Sequence, residues 1–309
     1  MSVTLVCPLD LAPLREGNAA QLVCSACGNA YRVEHGVARL VDNDDTFYEG
    51  AYENQVHFRP RSERPWHVWP LWLINSGYPW AVRRHVPAGS IVVELGCAGG
   101  VNYFGDRYRM VGCDISYASL LKLEHYQHRV QADAASCIPL PDNSADAVVS
   151  SYFWEHISPS QKPYILEECK RILKPGGKLI FLYDVETQNP LIRHYRESNP
   201  GLYKKQFLDG DGHIGYQCPE ENMELFKSAG FRIVNHRGME KTWLQSPSAY
   251  SKLASFGGRA QRLLRLLGNL GKTRWFYPYT ALIRLVDSSF CRWLPPSWAR
   301  IDLVVCETV

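Results

Sequence analysis

The sequence predicts an α/β fold: a doubly wound, mostly parallel sheet of seven strands. Three observations lead to it. Apolar stretches typical of strands alternate with amphipathic stretches typical of helices over residues 89–240. A glycine-rich loop follows the first strand, where sheets of this kind bind ligands. The last strand-like stretch follows the sixth only after a long segment, which predicts a helical insert before it.

Seven strands and two helices are predicted from the pattern of apolar residues. The strands are Ser90–Leu95, Tyr108–Cys113, Arg129–Ala132, Ala145–Ser151, Lys178–Tyr183, Phe231–Val234 and Ile301–Cys306. The helices are Ser160–Leu173, with Ser158 or Ser160 as its cap, and Pro219–Ala229, which Gly230 ends. A Pro-Gly-Gly turn comes before the fifth strand.

Size, composition and cysteine placement exclude several protein classes. The 309 residues, 46% hydrophobic and 21% charged, exclude a disordered or fibrous chain. A net charge of +3 attracts nucleic acid only weakly. Ten cysteines are present, but most are scattered singly, unlike a disulfide framework. We see no signal peptide and no apolar run of membrane-spanning length, and therefore expect a cytoplasmic location.

The chain divides into four predicted regions. Residues 1–45 form a small β-ribbon module, and residues 46–88 an aromatic helical lid or linker. Residues 89–240 and 300–309 form the main α/β domain, and residues 241–299 a basic, apolar helical insert. The aromatic rings of 46–88 would exclude water from an apolar pocket, although core packing is the alternative for about half of them.

The stretch from Glu94 to Gly100 carries the first chemical signal. Its glycines let the backbone turn sharply and approach a ligand closely, although an ordinary tight turn also uses them. Asp114 suits a ribose diol, because a carboxylate accepts from two hydroxyls at once; a charge at the helix N-terminus before Ser116 is the alternative. A nicotinamide dinucleotide suits the loop less well, since Glu94 would repel a diphosphate but attract a cationic amino-acid end.

Several ordered motifs resemble those of class I S-adenosylmethionine-dependent methyltransferases. They are E-L-G-C-A-G-G (94–100), G-C-D-I-S (112–116), Q-A-D-A-A (131–135), I-P-L-P-D-N-S-A-D (138–146), V-V-S-S-Y-F-W-E-H-I (148–157) and E-C-K-R-I-L-K-P-G-G-K-L (168–179). The resemblance spans roughly residues 85–240 and the last strand. It implies a Rossmann-like sheet whose last strand runs antiparallel beside the sixth, and S-adenosylmethionine as cofactor. Ala98 stands where the family usually has its middle glycine.

The resemblance also implies the roles of particular residues. The loop would hold the methionine part, Asp114 the ribose and Ile115 the adenine face. Asp133 would accept from the adenine amino group, with Ala134 beside it, and Ser151 would lie beneath the sulfonium. The residues expected to bind the cofactor are thus Glu94, Gly96, Cys97, Ala98, Gly100, Asp114, Ile115, Asp133, Ala134 and Ser151.

Methyl transfer from a sulfonium is a direct displacement, and a base helps only where the nucleophile must lose a proton. The catalytic candidates are His213, His156 and Asp184. The resemblance favours a structural or cofactor-supporting role for Glu155 and His156 over catalysis. Tyr103 and Tyr183 are weaker candidates, and Tyr103 fits a pocket wall better.

Four N-terminal residues form a candidate zinc site: Cys7, Asp10, Cys24 and Cys27. The segment resembles the zinc-ribbon-like modules that precede many methyltransferase domains. Asp10 stands where the fourth cysteine is expected, and His35 is a distant alternative ligand. A metal-free β-ribbon of the same shape is the other interpretation.

Residues 251–300 contain nine basic residues and one acidic residue, Asp287, among leucines and aromatics. Such a segment suits a helix on an anionic membrane surface, a lid over a substrate or a dimer contact, or helices packed on the core. We therefore expect a cytoplasmic methyltransferase for a small-molecule or lipid-linked acceptor. A membrane surface is a further partner that residues 251–300 could contact, and a nucleic acid partner is not expected. The alternatives are a base methyltransferase of rRNA or tRNA and a non-catalytic binding subunit that keeps the fold.

Overall fold

The computed structural model describes residues 3–18, 20–42, 74–273 and 275–309. The strands in this part of the chain are β1 Leu14–Glu16, β2 Gln21–Cys24, β3 Ala30–Glu34, β4 Val37–Arg39, β5 Ile91–Leu95, β6 Arg109–Asp114, β7 His128–Gln131, β8 Ala145–Ser151, β9 Leu173–Asp184, β10 Phe231–Met239 and β11 Ile301–Thr308. The seven strands predicted from the sequence correspond to β5–β11.

The α-helices of the described residues are α1 Tyr78–His85, α2 Asn102–Arg107, α3 Tyr117–Leu121, α4 Lys162–Ile172, α5 Pro190–Ser198, α6 Pro200–Tyr203, α7 Pro219–Ser228, α8 Pro247–Leu253, α9 Gln261–Asn269 and α10 Phe276–Leu285. The two predicted helices are α4 and α7. The predicted serine cap of α4 is wrong, because Gln161 holds the cap position and its side chain makes no capping bond.

The strands form one sheet in the order β1-β2-β3-β4-β7-β6-β5-β8-β9-β11-β10. The predicted α/β class is confirmed, but the sheet has eleven strands within the described residues and not seven. The difference arises at β4, which pairs in parallel with β7, Val37 opposite Arg129. The N-terminal ribbon therefore extends the central sheet and covers the β7 edge, which would otherwise present unpaired backbone groups.

The far edge of the sheet confirms the antiparallel last strand. β11 runs antiparallel to both β9 and β10 and lies between them. β9 is longer than predicted, because it begins before the Pro-Gly-Gly turn. Its pairing with β8 skips from Leu173 to Lys178, so the turn bulges out of the ladder, with Gly176 at a φ of +75°.

Helices cover both faces of the sheet, as a doubly wound fold requires. On one face, Ile165 and Ile172 of α4 and Phe226 of α7 pack against buried strand residues. On the other face, Val82 of α1 and Phe104 of α2 pack against another set. Alternate residues of each central strand point to opposite faces and are buried on both, which explains their continuous apolar runs.

The segment between β10 and β11 folds mainly into the helices α8, α9 and α10. Tyr250, Leu253 and Leu264 pack there with Ile192 of α5 and with Tyr203. The buried Asp287 carboxylate anchors the end of the segment by accepting from the backbone N–H groups of Glu240 (2.6 Å) and Lys241 (3.3 Å). No helix among the described residues has both the length and the apolar character needed to cross a bilayer.

The predicted aromatic lid falls largely on residues 46–73, which lie outside the described residues. Its last part contains a short 3₁₀-helix, Ile74–Gly77, followed by α1. Tyr78 and Val82 of α1 are fully buried against the sheet, so this part of the segment packs into the core.

Candidate active site

A cleft opens at the carboxyl ends of β5, β6 and β7, where ligands bind in open parallel sheets. It is lined by Gly96, Cys113, Asp114, Ile115, Ala132, Asp133, Ala134, Tyr152, Phe153, His156 and Ile157. Five residues predicted to bind the cofactor are in this set. The other five, Glu94, Cys97, Ala98, Gly100 and Ser151, are not among the lining residues. The cofactor-binding roles of all ten stay predictions.

The loop after β5 forms one wall of the cleft and has an unusual backbone. Gly96, Ala98 and Gly100 have φ angles of +58°, +45° and +63°. A side chain at position 96 would collide with Phe153, because an added Cβ would lie 2.5 Å from its ring. Ala98 holds a left-handed conformation that non-glycine residues rarely adopt, so the surrounding contacts must maintain it.

Asp114 supplies one of those contacts. One carboxylate oxygen accepts from the Ala98 N–H at 2.8 Å, and the other accepts from the Ser116 N–H at 2.9 Å. The side chain thus ties the loop to the end of β6 while facing the cleft. A carboxylate has about four acceptor positions, and acceptance from two hydroxyls is the chemistry that a ribose requires.

Glu94 lies under the loop and is only 1% exposed. Its carboxylate accepts from the Tyr78 hydroxyl at 2.8 Å and also from the Tyr126 hydroxyl. The Tyr126 oxygen in turn accepts from the Val101 N–H at 3.0 Å. Sequence reasoning missed both tyrosines, because they come from α1 and from the segment before β7 and meet Glu94 only in the folded chain.

Asp133 also lines the cleft, and its role at the adenine stays a prediction. Its two oxygens accept from the Ala135 N–H (2.9 Å) and from the Ser136 hydroxyl (2.7 Å), which close a turn after β7. Beside it, the Gln131 amide donates to the Ile115 carbonyl at 3.1 Å and fixes the backbone of that residue. The two residues expected at the adenine, Ile115 and Asp133, are thereby held on one wall.

Tyr152, Phe153 and Ile157 also line the cleft and were not predicted. Tyr152 follows β8 directly and has a φ of +56°, which turns the chain into the cleft. Their position immediately after a strand, at the ligand-binding edge of the sheet, is the signal that could have identified them.

The three catalytic candidates meet in what we call the polar cluster: Glu155, His156, Asp184 and His213. One carboxylate oxygen of Glu155 and one ring nitrogen each of His156 and His213 lie within 4.8 Å of one another. The two imidazole rings are 5.2 Å apart, edge to face. The Asp184 N–H donates to Glu155 Oε1 at 3.3 Å, which joins the end of β9 to this group.

Burial controls the charge state of the polar cluster. It raises the pKa of the Glu155 carboxyl well above its ordinary value, and the nearby charge of Asp184 raises it further. It lowers the pKa of His213 to about 4 and also lowers that of His156. Both imidazoles are therefore neutral at pH 7 and can accept a proton or bind a cation through nitrogen.

Arg300 forms two ion pairs at the border of the polar cluster. Arg300 donates to Asp184 at 3.2 Å and to Glu240 at 2.6 Å. The two other tyrosine candidates lie elsewhere: Tyr183 is buried in the core beside Phe226, and the Tyr103 hydroxyl accepts from Arg83 at 2.6 Å.

The N-terminal cysteines also come together. Single ligand atoms of Cys7, Asp10, Cys24 and Cys27 lie within 4.8 Å of one another. The Cys7 and Cys27 sulfurs are 3.8 Å apart, and the Cys24 sulfur is 3.3 Å from a carboxylate oxygen of Asp10. His35 is not part of this group and hydrogen-bonds to the Tyr117 hydroxyl at 2.9 Å.

Comparison with known proteins identifies similar chains. Residues 93–181 match a family model described as a methyltransferase domain. The tRNA (carboxymethyluridine(34)-5-O)-methyltransferase ALKBH8 of Macaca fascicularis is 29% identical over 196 residues, 60% of this chain and 28% of that protein. The ubiquinone/menaquinone biosynthesis C-methyltransferase UbiE of Syntrophotalea carbinolica is 28% identical over 151 residues, 43% of this chain and 62% of that protein. The chain thus spans less than two thirds of either relative.

Among solved structures, the geranyl diphosphate C-methyltransferase of Streptomyces coelicolor superposes with a TM-score of 0.51 at 13% identity. The match covers 84% of this chain and 97% of that one, which was crystallised with S-adenosyl-L-homocysteine. At this identity the likeness shows a shared fold.

The cleft makes a prediction about Asp114. We expect Asp114→Asn to weaken S-adenosylhomocysteine binding by at least about tenfold, roughly 1.4 kcal/mol, because one carboxylate acceptor becomes an amide donor facing N–H or hydroxyl donors. Isothermal titration calorimetry measures the affinity. Asp106→Asn, the same change at an exposed position, is the matched control and should leave the affinity unchanged. Equal affinities for the two variants would show that Asp114 does not contribute to cofactor binding.

Proposed function

We propose, since this chain belongs to the class I S-adenosylmethionine-dependent methyltransferases, that it transfers a methyl group to a small-molecule or lipid-linked acceptor held at the polar cluster. His156 carries this proposal, because it lines the cleft and also belongs to the polar cluster. Donor and acceptor sites are thereby neighbours, as a direct displacement requires. His213, His156 and Asp184 are the groups proposed to hold the acceptor or take its proton.

The surface of the insert supports a lipid-linked acceptor. On α9, Leu264 and Gly268 are buried, whereas Leu263 is 57% and Leu266 is 65% exposed. Exposed arginines stand beside these leucines at 262 and 265. Further exposed apolar side chains follow in the insert: Trp275, Leu282, Leu285, Phe290 and Trp293.

Charge favours an anionic partner for this surface. The sole acidic residue of 251–300, Asp287, is buried, so positive charge among exposed apolar groups dominates the segment. Such a combination suits adsorption to an anionic membrane from the cytoplasmic side, the location that we propose.

An RNA acceptor is the second candidate, because ALKBH8 is by its name a tRNA methyltransferase. A non-catalytic subunit that binds the cofactor is the third. The three differ in where label from S-adenosylmethionine should appear.

We expect label from [methyl-³H]S-adenosylmethionine, incubated with the full chain and a cell extract, to enter the lipid or small-molecule fraction. Asp114→Asn is the low-activity control. Label that becomes soluble on ribonuclease treatment would instead identify an RNA acceptor. Cofactor binding by calorimetry without label in any fraction would support the non-catalytic subunit.

The exposed basic and apolar face of α9 predicts binding to anionic membranes. We expect the full chain to sediment with phosphatidylglycerol-containing vesicles, and Arg262→Glu with Arg265→Glu to weaken this by at least about tenfold, since each basic residue contributes about 1 kcal/mol at an anionic surface. Arg15→Glu with Arg32→Glu makes the same charge change on the exposed N-terminal ribbon and serves as control. Equal losses in both double variants would argue against a specific surface.

We also propose that Cys7, Asp10, Cys24 and Cys27 hold a structural zinc ion. The 3.8 Å between the Cys7 and Cys27 sulfurs fits two thiolates that are each about 2.3 Å from a tetrahedral zinc. The Cys7 sulfur lies 3.1 Å from the Tyr31 hydroxyl, which provides an outer contact of the kind that orients metal ligands. The ion would brace the ribbon that covers β7.

Cobalt(II) substitution tests the zinc site. We expect the full chain to show a thiolate-to-cobalt charge-transfer band, and Cys24→Ser to reduce it strongly, because that variant loses one thiolate ligand. Cys291→Ser, at a cysteine outside the group, should leave the band unchanged. A wild-type chain without the band would favour the metal-free ribbon.

A further inference from the structure

The polar cluster contains buried polar atoms without partners. Glu155 is 1% exposed, and its Oε2 atom has no hydrogen-bond partner within the described residues. His213 has a side chain that is 6% exposed, and its Nδ1 atom also meets none there. Unpaired polar atoms in a protein interior cost free energy, so they point to a bound group that satisfies them.

One loop brings these groups together. The Gly212 carbonyl lies 3.1 Å from His156 Nδ1 and orients that ring, and the next residue supplies the His213 imidazole. The Gly215 N–H donates to the Glu155 carbonyl at 2.9 Å. A Cβ at Gly215 would lie 1.7 Å from the Ile157 carbonyl oxygen, so the loop is packed tightly on this segment.

The charges around the polar cluster favour a cation. Glu155 and Glu240 are buried acids, Asp184 is an acid whose side chain is 13% exposed, and Arg300 and Lys162 are the basic groups near them.

Asp211 and Lys252 pair with each other at the rim, and the remaining neighbours, Tyr203 and Tyr216, are neutral. Burial favours the neutral form of Glu155, so an ionised Glu155 would add one uncompensated negative charge in a buried place. Burying an unpaired charge is costly, and a divalent cation would remove that cost.

We infer that Glu155, His156 and His213 form a site for a divalent transition-metal cation, of the class of Mn²⁺, Fe²⁺ or Zn²⁺. One carboxylate and two imidazoles are ligands typical of such ions. Ligands about 2.0–2.2 Å from the ion would lie about 3–3.5 Å apart. The ligand atoms, now within 4.8 Å, therefore need to approach by about 1–2 Å, a movement that side-chain rotation can provide.

A metal ion at this site would favour an acceptor that is methylated on oxygen. This part of the inference rests on the proposed function. A hydroxyl oxygen bound to the ion loses its proton more readily. The Asp184 Oδ1 atom, which has no hydrogen-bond partner in the described part of the chain, receives that proton. The oxygen forms a bond to the methyl carbon, the carbon–sulfur bond breaks, and its electron pair returns to sulfur to leave the neutral thioether.

Manganese titration followed by electron paramagnetic resonance tests the metal site in the full chain. Mn²⁺ prefers oxygen and nitrogen ligands, so the N-terminal cysteines do not compete for it. We expect one Mn²⁺ per chain, and at least about tenfold weaker binding in Glu155→Gln and His213→Ala. His194→Ala, at an exposed histidine, is the matched control and should bind like the wild type.

Pulsed electron paramagnetic resonance tests the wild type without any variant. We expect it to show coupling between the bound Mn²⁺ and the nitrogen of an imidazole. S-adenosylhomocysteine titration checks that the variants are folded. The inference is overturned if millimolar Mn²⁺ stays free with the wild type, if nitrogen coupling is missing, or if folded variants bind Mn²⁺ equally well. Mn²⁺ binding without methyl transfer would contradict the proposed function and leave the metal site in place. Methyl transfer that continues when a chelator is added would contradict the metal-dependent step.

Discussion

The buried Glu94 carboxylate is the constraint on which the cofactor cleft depends. It accepts from Tyr78 of α1 and from Tyr126, whose oxygen also receives the Val101 N–H beyond the glycine-rich loop. Removing any partner would leave a buried charge or hydroxyl with one hydrogen bond fewer, which costs free energy in a protein interior. The loop can therefore keep Ala98 in a left-handed conformation, because it is tied from beneath by Glu94 and from the cleft side by Asp114.

A second constraint places the polar cluster, which we propose to bind the acceptor, against this cleft. The loop of residues 212–215 contacts the segment after β8 through the Gly215 N–H, which donates to the Glu155 carbonyl, and through the Gly212 carbonyl, which lies 3.1 Å from His156 Nδ1. Lys162 strengthens the contact by donating to the Gly215 carbonyl at 2.7 Å. That lysine is fully buried, and burial lowers its pKa to about 8. Since His156 belongs to both the cleft and the polar cluster, movement of this loop would alter the proposed donor and acceptor sites together.

The additions at the two ends of the sheet act on different surfaces. The N-terminal ribbon completes the β7 edge, so it contributes to the sheet that carries Asp133. The insert between β10 and β11 packs on α5 and leaves a basic, apolar surface outside. One addition thus supports the sheet edge beside the cleft, and the other carries the surface that we propose for membrane contact.

The sequence by itself determined the strands β5–β11, the helices α4 and α7, and the motif residues of the cleft. These follow from local periodicity and from residues that are close in the chain, such as Gly96 and the strand before it. Tertiary structure alone decided the eleven-stranded sheet, the tyrosines on Glu94 and the meeting of His156 with His213. Strand edges pair, and side chains 32 or 57 residues apart meet, only when the chain is folded, and no local spacing encodes such contacts.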